Sequence, residues 1–105
     1  MSNVAVSHIL TTVAGSLVAK RKYASISDAL RGVALSAVRG KASYYRRRIR
    51  AFERKYGMSF DKFTASLKAR ATPREEDDWL AWRSAQRMLA DWEQACGDLS
   101  DAAAH

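Results

Sequence analysis

The apolar residues of this chain recur at helical spacing from its beginning. Val6, Ile9, Leu10, Val13 and Leu17 sit at offsets of 0, 3, 4, 7 and 11, which is one face of a helix. That pattern predicts a helix from about Ser7. Residues 3–7 stay open between strand and coil, because the alternation Val4-x-Val6 also suits a short strand. A second stripe follows: Leu30, Ala34, Val38, Ala42, Tyr45, Ile49, Phe52 and Tyr56, three or four residues apart throughout. A single helix over 28–56 satisfies it and would be about 43 Å long. Ser27 is placed to cap it, with Asp28 in its first turn. Gly32 and Gly40 weaken it by about 1 kcal/mol each relative to Ala, so a break near Gly40 is the alternative. Gly57 is its expected stop, after Arg54 and Lys55 in the last turn.

Two more helices are written in their caps. Ser59 precedes Phe60, Phe63 and Leu67, with Met58 and Phe63 positioned as a hydrophobic staple. This short helix should end near Arg70. Thr72-Pro73-Arg74-Glu75 is a capping box with proline at the first helical position. The helix it opens carries Trp82, Ala85, Leu89, Trp92, Cys96 and Leu99 as a seam for another helix, with Trp79 and Leu80 one turn earlier. Gly97 is the expected stop, with residues 98–105 fraying beyond it. The fold class is therefore mainly α: three to four helices, with a long basic helix, a C-terminal helical hairpin and room for a short N-terminal strand.

Composition narrows the class of function. With 105 residues the chain suits one domain, and 48% hydrophobic with 28% charged residues is ordinary globular usage. The single Cys96 closes no intrachain disulfide, which fits a reducing compartment. The first apolar run is too short and too interrupted for a membrane span and has no basic residue before it as a secretory signal would, so a cytoplasmic location is expected.

The net charge of +7 hides two unlike halves. Residues 1–56 hold twelve Lys/Arg and two acids, a net of +10; residues 57–105 hold six basic and nine acidic residues, a net of −3. That split divides the chain into a basic region, 1–56, expected to dimerise and face DNA, and a C-terminal region, 57–105, expected to face a protein partner. On a helical wheel Arg39, Arg46, Arg47, Arg50 and Arg54 fall within roughly a third of the circumference, displaced from the apolar stripe. Such a face can track phosphates or receive the acidic surface of a protein.

Catalytic chemistry is thin. His8 and His105 are the only histidines, no Cys/His cluster has metal spacing, and no glycine loop of the phosphate-binding type occurs. Glu75-Glu76-Asp77-Asp78 fan around a helix, and the helix N-terminus already accounts for acids there. No enzyme activity, cofactor or metal is expected. Phe60, Phe63, Trp79, Trp82 and Trp92 are candidates for a partner surface: the three Trp, because indoles are enriched at interface hot spots, serve that role and an internal core equally well, and Phe60 and Phe63 also form, with Leu67, the buried face of the short helix.

Tyr23-Ala24-Ser25-Ile26-Ser27-Asp28-Ala29-Leu30-Arg31 resembles the stretch that opens the second helix of ribbon–helix–helix antitoxins. Val4-Ala5-Val6-Ser7 loosely resembles their DNA-reading strand, although no basic residue precedes Lys20. Phe52-Glu53 through Phe60 and the Trp-rich last helix are similar to small helical proteins encoded beside toxin genes. The resemblance implies a cytoplasmic homodimer that binds its own operator DNA and wraps a toxin protein with its C-terminal part.

Overall fold

The computed structural model describes residues 3–19 and 24–103, which form four helices and, among those residues, no strand. They are α1 (Asn3–Ala19), α2 (Ile26–Tyr56), α3 (Phe60–Ala69) and α4 (Pro73–Ala103). Lys20, Tyr23 and His105 lie outside the described residues. No helix among the described residues is long and apolar enough to cross a membrane.

The short N-terminal strand is not formed; residues 3–7 are the first turns of α1. An isolated strand leaves its amides without a ladder partner, whereas helix satisfies them within the segment. The cap of α2 also moves. Ser25, not Ser27, accepts the Asp28 amide at 3.1 Å, and its carbonyl takes the Ala29 amide at 2.9 Å. Capping two residues earlier puts Asp28 at the third helical position, where its carboxylate pairs with Arg31 at 3.2 Å. From there α2 continues through Gly32 and Gly40 without interruption.

The remaining caps match their sequence signals. Gly57 ends α2 in the left-handed region (φ 63°), its amide donating to the Glu53 carbonyl at 2.8 Å. Ser59 Oγ accepts the Lys62 amide at 3.3 Å and starts α3. At α4 the box closes both ways: the Glu75 amide donates to Thr72 Oγ1 at 3.2 Å, and the Thr72 amide donates to Glu75 Oε1 at 3.0 Å. The far end of α4 differs from expectation. It passes through Gly97 to Ala103, because glycine permits a stop without forcing one, and nothing after it is a proline.

The chain packs as two compact units. The first comprises residues 1–39 with 95–105, the second Gly40–Gln94. Helices α2 and α4 supply residues to both, so the division at Gly57 separates charge and not packing. In the first unit Ala14, Ala29 and Val38 are buried. Its larger apolar residues Val6, Ile9, Leu10, Val13 and Ile26 stay exposed. In the second unit Ala42, Phe63, Trp82 and Ala85 are buried, and aromatic rings supply most of the core volume.

Candidate interaction surfaces

The core of the second unit is what holds its surfaces in place. Three aromatic pairs meet there, each at helical spacing on its own element: Phe52 and Tyr56 of α2, Phe60 and Phe63 of α3, Trp79 and Trp82 of α4. Trp82 is the hub. Its ring lies 5.5 Å from Phe52, 5.3 Å from Phe60, 5.4 Å from Phe63 and 6.3 Å from Tyr56, centroid to centroid. These separations are in the range where aromatic pairs add about 0.5–1.5 kcal/mol beyond area burial. The Trp82 Nε1 is buried with no hydrogen-bond partner, as is that of Trp92. Each unpaired donor costs about 1–3 kcal/mol, which at Trp82 the four ring contacts must outweigh. Trp79 avoids that cost, since its Nε1 donates to Thr64 Oγ1 at 2.8 Å.

A polar contact closes one edge of this core. Lys55 Nζ reaches Asp78 Oδ2 at 2.6 Å, and the Tyr56 hydroxyl donates to the same oxygen. Hydrogen bonds from Lys55 and then Tyr56 hold the Asp78 carboxyl below its usual range. Partial burial, followed by the carboxylate beside it, pushes the Tyr56 phenol up to about 12. Asp78, read from sequence as one of four acids at a helix start, is thus the anchor between α2 and α4. No group of three or more His, Cys, Asp or Glu among the described residues is placed to hold a metal ion. Cys96 is half-buried with a free thiol.

These contacts sort the predicted partner residues. Phe63 and Trp82 lie at 1% and 0% exposure, so neither offers surface to a partner while the unit is folded. Phe60, Trp79 and Trp92 keep part of their rings accessible. All five predicted DNA-facing arginines are exposed. Arg39 belongs to the first unit and Arg46, Arg47, Arg50 and Arg54 to the second. Ser43, Arg46, Arg47 and Arg50 line an open depression of about 210 Å³. Arg46 Nη2 reaches Glu93 Oε1 at 3.5 Å, a pair exposed on both sides and hence weak.

Sequence reasoning passed over Arg48. It lies on the other side of α2, its guanidinium 5.7 Å from the Phe52 ring centre and 6.0 Å from that of Tyr44. There it lines a cleft of about 340 Å³ with Tyr44, Tyr45, Ala81, Ser84 and Ala85. The small residues Ala81, Ser84 and Ala85, at helical spacing on α4, were the available signal. They gain meaning only once α2 is known to face them. No protein-family model, curated protein or solved structure matches the chain.

Proposed function

We propose that this protein is a non-enzymatic, antitoxin-like regulator that binds a toxin protein and its own operator DNA. The observation that carries the DNA half is the set Arg46, Arg47, Arg50 and Arg54, exposed along one arc of α2 and turned away from the aromatic core. The arc extends about 12 Å along the helix, against duplex DNA that carries one charge per about 1.7 Å of axis. In this reading α2 is the long basic helix, and α3 with α4 forms a C-terminal helical hairpin that faces the protein partner. That partner meets the accessible edges of Phe60, Trp79 and Trp92. The working form is a cytoplasmic homodimer. Its antitoxin character rests on the local resemblance at residues 23–31.

Electrophoretic mobility shifts on the DNA upstream of the gene, run across a salt series, test the reading. Affinity should fall steeply with salt, and replacing the four arginines by Gln should abolish the shift. Weak binding that is flat with salt removes DNA from the account.

The Arg46–Glu93 pair favours a second reading, in which these guanidinium groups serve carboxylates and the chain is a helical protein-interaction module without nucleic acid. Co-purification with the neighbouring gene product, unaffected by nuclease treatment, would support it.

A further inference from the structure

We infer that the cleft between α2 and α4 in the second unit is a docking site for an acidic peptide segment, one that places a carboxylate on Arg48 and an apolar side chain against Tyr44 and Ala81. It goes beyond both readings above, since the cleft uses neither the Arg46–Arg54 arc nor the edges of Phe60, Trp79 and Trp92. Three features point to this occupant.

The first is size. A cleft of about 340 Å³ stands at the small end of ligand sites, which run from about 300 Å³ upward, and suits one or two side chains rather than a whole domain.

The second is the chemistry of its walls. On α4 the wall is Ala81 and Ser84, with the buried Ala85 behind them, low enough for a peptide backbone to come close. Leu80, 56% exposed, stands one turn before Ser84 on the same helix. On α2 the wall is Tyr44, with 46% of its surface open, beside Tyr45, the two rings meeting edge to face at 4.9 Å. An apolar side chain that enters this open cleft meets the Tyr44 ring on one wall and Ala81 on the other.

The third is charge. Arg48 is the single cation of the cleft, and no ion pair among the described residues gives it a carboxylate; its neighbours are the Tyr44 and Phe52 rings. A guanidinium already oriented by two rings loses little freedom when it takes a planar carboxylate through paired N–H donors. Nucleic acid fits less well. A phosphodiester strand needs successive cations, which Arg46, Arg47, Arg50 and Arg54 supply on the other arc of α2, whereas this cleft has one.

The test is a titration of the ¹⁵N-labelled full chain with the blocked hexapeptide Leu-Glu-Ala-Leu-Glu-Ala, and in parallel with its Gln counterpart. Amides of Tyr44, Arg48, Ala81 and Ser84 should shift with the Glu peptide. The Gln peptide should bind about tenfold more weakly. Arg48→Gln and Ala81→Leu should each weaken the Glu peptide by a similar factor, and Arg47→Gln should leave it unchanged. If Ala81→Leu perturbs the fold by circular dichroism, Arg48→Gln alone decides. Equal response to the two peptides overturns the proposal, as do shifts centred on Ser43, Arg47 and Arg50. A short oligothymidylate that moves the cleft amides, in a manner abolished by Arg48→Gln, would make the cleft a base-stacking site instead. Because the DNA test reads the opposite arc of α2, either result can fail without the other.

Discussion

The Tyr56 hydroxyl donates to the Asp78 carboxylate, joining the last turn of α2 to the second turn of α4. Lys55 completes the contact from one residue away, so a single carboxylate holds two consecutive side chains. Asp78→Asn should therefore lower stability by about 1.5–3 kcal/mol, the range for hydrogen bonds to a charged group. Thermal unfolding followed by circular dichroism checks it; an unchanged Tm would show the contact to be idle.

The same contact makes stability depend on pH at both ends. The Asp78 carboxyl is held low in the folded chain, so its contribution is present above the unfolded carboxylate pKa of about 4 and is lost as pH falls through the folded value. The Tyr56 phenol is held high, so its contribution is complete below about pH 10 and is lost as pH rises towards about 12. Urea midpoints measured from about pH 2 to about pH 12 should fall at both extremes. Tyr56→Phe should flatten the alkaline fall and leave most of the acid one.

Trp82 touches four rings from two other helices, so removing it should cost more than removing any exposed aromatic. Trp82→Ala should lose about 3–5 kcal/mol, the cost of truncating a buried aromatic. Trp82→Phe should lose less, because it keeps ring contacts and deletes an indole N–H that has no partner. Denaturant unfolding of the two variants orders them; equal losses would mean that the indole volume, and not its stacking, governs the core.

The glycines should respond in opposite directions. A Cβ added at Gly40 or Gly97 meets nothing within 4 Å, and both lie inside helices. Gly40→Ala and Gly97→Ala should each stabilise by about 0.5–1 kcal/mol. Gly57→Ala has equal room but sits at φ 63°, so it should destabilise by about 1 kcal/mol or more. Differential scanning calorimetry of the three variants separates the signs.

Arg47 and Arg48 adjoin in sequence but leave α2 on different sides, so they should separate in function. Arg47→Gln should reduce the salt slope of DNA binding by about 1, while Arg48→Gln should leave it unchanged. Equal slopes for the two variants would show that DNA binding reads charge density and not the arc.

The amino-acid sequence by itself determines the local features of this protein. Ser59, Gly57 and the Thr72–Glu75 box mark where helices begin and end, because caps are made within four residues and depend on nothing distant. Even there, Ser25 took the place of Ser27 and α4 ran past Gly97, since two serines two residues apart, or a glycine without a proline, leave the boundary to small energy differences. The exposure of the arginines also followed from sequence, as their wheel positions lie off the apolar stripe. Only tertiary packing decided which aromatic residues became core. Phe63 and Trp82 are enclosed while Phe60 and Trp79 keep an open edge, though periodicity treats all four alike. It also assigned Asp78 to Tyr56 and Lys55, and set Arg48 opposite Ala81 and Ser84. Those partners are more than twenty residues apart, and only the docking of α4 against α2 brings them within reach. Helix periodicity states which way a side chain leaves its own axis; what it then meets depends on the other helix.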